Sequence, residues 1–151
     1  MRTIQTLSEL AALVGQEIVV SDWISITQEQ INQFALATGD HQWIHVDVER
    51  ARAGPFGAPI AHGFLTLSLL PRFFESSMEV VESRMGVNYG LNKVRFMAPV
   101  PVGSRLRARI TLLRCDPIDN NGFQMTSQVV VEREGSERPV CVAESIARRY
   151  P

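Results

Sequence analysis

The sequence predicts an α+β domain in which an antiparallel sheet wraps one long helix, and three observations carry that prediction. Helix signals crowd the first half of the chain. In the second half, Leu106, Ala108, Ile110 and Leu112 alternate with Arg105, Arg107, Arg109 and Thr111, the pattern of a strand with one buried and one wet face. Between them, Phe64-Leu65-Thr66-Leu67-Ser68-Leu69-Leu70-Pro71-Arg72-Phe73-Phe74 is apolar on nearly every side, as expected of a helix surrounded by protein. Helices first and strands after, joined by short turns, give segregated layers of structure.

The elements follow in order. Thr6-Leu7-Ser8-Glu9 is a capping box, and Leu10, Leu13 and Val14 continue a short amphipathic helix to Gly15. Ile18 to Ile26 is β-branched and reads as a first strand, weakened at Ser21 and Asp22. Thr27 and Gln30 form a second capping box, after which Ile31, Phe34, Ala35 and Thr38 share a helix face that Gly39 terminates. Glu49 to Ala53 gives a further helical turn, and Gly54-Pro55-Phe56-Gly57-Ala58-Pro59 demands a loop. Pro71 removes a hydrogen bond from the apolar helix and crowds its preceding turn, so a kink or break is expected there. Strands are predicted over Leu91 to Met97, from Arg105, through Phe123, Met125, Ser127, Val129 and Val131, and over Val140 to Tyr150. Asn121-Gly122 marks the hairpin turn between the second and third of these, and Gly135-Ser136 the next. On the last strand Cys141, Ala143, Ser145 and Ala147 form a small-residue face against which a helix can lie close.

Composition narrows the function classes. A chain of 151 residues, 45% apolar and without repeats, suits a single domain over residues 1–151, long enough to bury roughly 70% of its unfolded surface. Its net charge of −1 argues against nucleic acid or an anionic membrane as partner, since both require an excess of Lys and Arg. Cys115 and Cys141 fall in different strands without metal-ligand spacing, so free thiols are expected. Arg2 is the only basic residue at the N-terminus, Glu9 interrupts the apolar run an export signal needs, and Arg72 closes the longest greasy stretch. A soluble, cytoplasmic protein is expected.

Thr38-Gly39-Asp40-His41-Gln42-Trp43-Ile44-His45 holds the chemistry. It places a carboxylate and an imidazole a few residues apart where a helix ends, in a loop that presents polar groups to a pocket. On spacing alone, Asp40 as a turn cap and His45 as a satisfied core histidine explain the stretch equally well. His41 and His45 are four apart, but Gln42 stands where a zinc hydrolase motif needs Glu, so no metal is expected.

Three blocks resemble one family. Ala37-Thr38-Gly39-Asp40-His41-Gln42-Trp43-Ile44-His45-Val46-Asp47 is similar to the hydratase motif of the MaoC-like, (R)-specific enoyl-CoA hydratases, with a Gly-Asp pair and a His five positions after the Asp. Ile60-Ala61-His62-Gly63-Phe64 resembles the family's second motif, at the start of its central helix. Asn88-Tyr89-Gly90-Leu91-Asn92-Lys93-Val94-Arg95-Phe96, with Pro99-Val100 and Val102-Gly103, resembles the third block in the nodulation protein N-like branch. The blocks run in the family's order across essentially the whole chain. Two departures bear on acyl-chain preference: Gln42-Trp43 stands where many relatives have Asn-Pro, and Pro71 where some carry a helix hydroxyl.

The resemblance implies a hot-dog fold, a homodimer, and a fatty acyl thioester of coenzyme A or acyl carrier protein as ligand, with no cofactor beyond the coenzyme A of the substrate. It implies that Asp40 and His45 jointly activate water to give the (R)-3-hydroxyacyl product, or catalyse the reverse dehydration. Gly63, in the first turn of a helix, is the candidate oxyanion donor. His62 is expected to orient the loop before that helix, Asn88 and Tyr89 to line the acyl pocket or the subunit interface, and Lys93 and Arg95 to meet the coenzyme A phosphates. Phe64, Leu67 and Phe73 read as core, and Arg105, Arg107 and Arg109 as a solvated strand face. A hot-dog thioesterase is the alternative enzyme, although Phe64 to Leu70 lacks the carboxylate it places in the central helix. An acyl-thioester-binding protein without turnover is the non-enzymatic alternative.

Overall fold

The structure is a computed structural model that describes residues 1–151. A short strand absent from the sequence prediction, β1 (Arg2–Ile4), comes first. Helix α1 (Leu7–Ala11) has both halves of its capping box: Thr6 accepts from the Glu9 amide, and Glu9 accepts from that of Thr6. It buries Leu7 and Leu10 but stops short of Val14, which is exposed. The predicted first strand divides into β2 (Glu17–Val20) and β3 (Ile24–Ser25). Ser21 is the cause, because its hydroxyl takes the Ala108 N–H at 2.9 Å and donates to the Asp22 carbonyl at 3.0 Å.

Helix α2 (Gln28–Thr38) has the predicted bounds. Thr27 accepts from the Gln30 amide at 3.1 Å, but Gln30 makes no return bond, so this capping box is half formed. Gly39 ends the helix at φ 80°, a left-handed conformation that glycine adopts without steric cost. Two short helices follow, α3 (Trp43–Val46) and α4 (Val48–Arg52), divided at Asp47, whose carboxylate caps the second through the Arg50 amide.

The long central helix is two helices, α5 (Gly63–Ser68) and α6 (Leu70–Glu75), separated at Leu69. Pro71 has no N–H to offer the carbonyl four residues back, so the chain restarts with proline in a first turn, where no N–H is needed. Leu65, Leu69, Leu70, Phe73 and Phe74 are buried. Phe64 corrects the sequence reading: it is 68% exposed, because the chain's own sheet covers only one side of α5. Leu67 is half-buried and packs on the core from its edge.

Strand β4 (Met78–Val80) pairs in parallel with β1. Then come β5 (Met85–Arg95), six residues longer at its start than predicted, β6 (Arg105–Pro117), β7 (Phe123–Arg133) and β8 (Cys141–Tyr150). The main sheet is antiparallel in the order β2-β6-β7-β8-β5, with β3 also on β6. The β6–β7 turn lies one residue before the predicted one: Asn120 and Asn121 have φ of 60° and 57°, and the Gly122 amide bonds to the Asp119 carbonyl. Two left-handed residues in succession suit a two-residue hairpin turn, and Asn tolerates that conformation well.

Leu106, Ala108, Ile110 and Leu112 face inward with Val129, Val131, Cys141 and Ala143, against α5 and α6. On the outer face Arg105 pairs with Glu134, Arg107 with Glu132, and Arg109 with both Glu132 and Glu17, as a solvated face requires. Both cysteines are free, and burial pushes their thiols up to about 11, which keeps them unreactive. No helix is long and apolar enough to cross a membrane. Phe73, fully buried at 0% exposure, anchors α6 to this core. Phe73→Ala should lower stability by about 3–5 kcal/mol and the thermal midpoint by roughly 6–20 °C, read by calorimetric melting.

Candidate active site

The site is assembled from the end of α2, from α3, and from the loop that enters α5. Gly39 turns the chain so that Asp40 emerges exposed, with its carboxylate facing the Gln42 amide at 3.4 Å. One turn later α3 carries His45 inward, to 6% exposure. Gln28, at the start of α2, donates to the His45 carbonyl at 2.8 Å and fixes α3 against α2. From the other side Ile60 bonds its amide to the Ile44 carbonyl, and its own carbonyl lies 2.6 Å from His45 Nδ1.

That last contact sets the chemistry of the imidazole. A carbonyl only accepts, so Nδ1 carries the proton and Nε2 is left with a free lone pair. Burial holds the His45 pKa below its usual 6.5; the Ile60 bond works against that, the neighbouring His62 adds to it, and Asp40 opposes it. The ring is therefore neutral at pH 7 and able to take a proton.

His62 stacks on His45 with ring centroids 3.9 Å apart and lies against Phe34 at 4.8 Å. Its Nε2 donates to the Asp40 carbonyl at 3.0 Å, so it holds the Asp40 loop rather than the loop before α5 that the sequence reading assigned to it. Its Nδ1 is buried without a partner. Ligating atoms of Asp40, His45 and His62 all lie within 4.8 Å of one another. The imidazoles are nearly parallel, tilted by 24°, so an ion bound in the plane of one ring lies out of the plane of the other. Zinc binds imidazole in the ring plane at about 2.0–2.1 Å and prefers a tetrahedron, which this stack fits poorly.

Gly63 is the first residue of α5, and neither its N–H nor that of Phe64 has a partner within the protein. The Phe96 ring lies where a side chain at Gly63 would begin, about 3.0 Å from an ideal Cβ. Phe96 also meets Phe64 edge-on. Thus Asp40, His45, His62 and Gly63 come together. Asn88 and Tyr89 do not join them: both sit on β5 and line a groove that runs from Phe64 along α5 and α6. Lys93 and Arg95 are exposed farther along β5, where Arg95 donates to the Val94 carbonyl. Sequence reasoning missed the Ile60 carbonyl, which as a backbone group leaves no residue signal, and it missed Arg149, discussed below.

A hot-dog architecture with a buried histidine beside a carboxylate and a free helix-end amide suits a class of enzymes that add or remove water. Comparison with known proteins agrees. The family described as MaoC like domain matches residues 9–134, and the chain belongs to the MaoC-like dehydratase family. The 3-hydroxyacyl-thioester dehydratase Z of Mycobacterium tuberculosis is 57% identical over 148 residues, 98% of each chain. Nodulation protein N of Rhizobium leguminosarum bv. viciae is 47% identical over 140 residues, 91% of this chain and 87% of that one. In fold, the chain is similar to the unliganded (R)-hydratase PhaJ1 of Pseudomonas aeruginosa, with a TM-score of 0.72 and 23% identity over 96% of this chain and 85% of that one.

The His45 environment also predicts a pH effect on stability. The folded pKa lies below 6.5 and the unfolded one near it, so the unfolded chain binds the extra proton first as pH falls. The contribution is complete above about pH 6.5 and is lost progressively below it, through the folded pKa. Melting at pH 7.5, 6 and 5 should show a steeper acid loss for the wild type than for His45→Gln.

Proposed function

We propose that this protein hydrates trans-2-enoyl thioesters to (R)-3-hydroxyacyl thioesters and catalyses the reverse dehydration. The observation that carries this reading is the Nδ1 bond to Ile60, which leaves His45 Nε2 as a neutral base beside the Asp40 carboxylate. Water held between the two gives a proton to Nε2 as its oxygen bonds to C3. The C2=C3 electron pair then moves onto the thioester oxygen, where the Gly63 N–H receives the developing charge. Collapse of that enolate returns a proton to C2 from the His45–Asp40 pair, so the proton taken from water balances the one delivered. Both atoms add to the one face of the double bond that the pair meets, and in this reading that is the face that gives (R) at C3. His62 acts as a positioning residue through the Asp40 carbonyl.

Coenzyme A or an acyl carrier protein provides the handle, Lys93 and Arg95 are the cations offered to the phosphates of that handle, and no further cofactor is required. The working form is a homodimer. β5 is an edge strand with its outer backbone unpaired, and it exposes Met85, Val87, Tyr89 and Leu91 in line with Phe64 on α5. A second copy of the same surface satisfies both the edge and the apolar residues.

Purified protein given crotonyl-CoA and longer trans-2-enoyl-CoAs should remove the ultraviolet absorbance of the conjugated thioester and yield the (R)-alcohol. Asp40→Asn and His45→Gln should each lower kcat by about 10²–10⁴ while the circular-dichroism spectrum of the folded protein is retained. Near wild-type turnover in either variant removes that residue from the mechanism, and release of free thiol instead of alcohol replaces the hydratase with a thioesterase. Sedimentation should give a dimer, and Leu91→Arg on the β5 edge should shift it toward monomer.

A further inference from the structure

Two cavities open between the broken central helix and the sheet, and they share Leu70, Pro71, Asn88 and Ser145. The outer one, about 420 Å³, begins at Phe64, next to Gly63. The inner one, about 160 Å³, runs on beneath α6. Ile110, Met125 and Val129 give it an apolar floor, as a fatty chain requires. Its other lining groups do not fit that purpose. Asn88, Ser127, Ser145 and Arg149 also face it, none with a side-chain hydrogen bond inside the protein, and Ser127 and Ser145 stand opposite each other in the β7–β8 ladder.

Arg149 decides the reading. By the period of two along a strand it continues the face of Cys141, Ala143, Ser145 and Ala147, so small residues hold the groove open and a guanidinium closes its end. That guanidinium lies over the Phe74 ring at 4.4 Å and rests against Gly86. Burial lowers its pKa, while Glu75, on the same cavity, supports its charge without reaching ion-pair distance. The Arg149 guanidinium is half-buried and carries five N–H donors, and its planar fork suits oxygen acceptors better than any other side chain. Nothing in the chain fills that role.

We propose that the inner cavity is a specificity subsite for short acyl chains that carry an oxygen function at the far end, held by Arg149. A cavity of about 150 Å³ takes one benzene, so this one takes about six carbons. The inference deepens the thioester reading above and rests on it for the ligand's handle.

Calorimetric titration with saturated thioesters, which cannot be hydrated, separates this subsite from turnover. Hexanoyl-CoA, 6-hydroxyhexanoyl-CoA and adipoyl-CoA are compared on the wild-type protein. At least one oxygenated ligand should bind roughly tenfold more tightly than hexanoyl-CoA, the worth of one charge-assisted hydrogen bond. Preference for adipoyl-CoA identifies a carboxylate, and preference for the hydroxy ligand alone identifies a hydroxyl shared between Arg149 and Glu75. Arg149→Met, which keeps an apolar stem on Phe74, should erase the gain, so that the oxygenated ligands bind this variant no more tightly than hexanoyl-CoA does. Should that variant unfold on melting, Arg149→Lys replaces it, with a reduced gain expected. Equal affinities for the three ligands, or a gain that survives in Arg149→Met, overturns the proposal. Failure of the hydratase reading looks different: the binding order persists while trans-2-hexenoyl-CoA is not hydrated.

Discussion

The site depends on a short stretch of backbone, Pro59 to Ala61, sewn in from both sides. Ile60 gives its amide to Ile44 and takes the His45 Nδ1 proton on its carbonyl, so α3 is tied at two points. On the far side Ala61 bonds to the Val100 carbonyl and Val102 to that of Pro59, both at 2.8 Å. A carbonyl fixed in this way neither titrates nor rotates. It sets the imidazole tautomer as a partner carboxylate does elsewhere, without adding a second negative charge that would raise the ring's proton affinity. The isolated basicity of His45 is therefore set by burial, and the nearby carboxylate is left free to act on whatever lies between them.

The balance of forces on His45 also gives the exposure of Asp40 a meaning. Burial and the stacked His62 disfavour the protonated ring, whereas Asp40 favours it. Asp40 lies in solvent, where its pull is weakened by the high dielectric. A ligand that covers Asp40 displaces that water and strengthens the attraction between carboxylate and imidazolium. In the open site Asp40 therefore offsets only part of the burial that keeps the His45 ring neutral.

Much of this was legible in the sequence, and what was not has identifiable causes. The boundaries of α2 could be read because Thr27 and Gly39 are local signals, satisfied within one turn. Inward residues of β6 and β7 could be read because alternation survives any tertiary arrangement that buries one face. The division at Ser21 could not, since a serine hydroxyl replaces a ladder partner supplied by β6, distant in sequence. Likewise β1 and β4 are three residues each and stabilise one another in parallel, with no local pattern to betray them. Pro71 signalled a break, but its position at Leu69 follows from where proline is tolerated after a restart, not from where proline stands. Asp40 and His45 were legible as a motif, whereas the Ile60 carbonyl that orients His45 belongs to every residue type alike.

Breaking the central helix has a consequence for the interior. A continuous helix packed on a flat sheet would bring its side chains down in register and fill the space beneath them. Restarting at Leu70 re-aims α6, and the small side chains of β8 do not rise to meet it, so a groove remains where the apolar core would otherwise close. Phe73 and Phe74 then divide the work: Phe73 turns wholly into the core and holds α6, while Phe74 faces the groove and seats Arg149. The chemistry at His45 is fixed by backbone hydrogen bonds at the start of α5, and the groove by side-chain size beneath α6. Substitutions in the groove can therefore reshape its lining without disturbing the imidazole, because the two regions share no hydrogen bond.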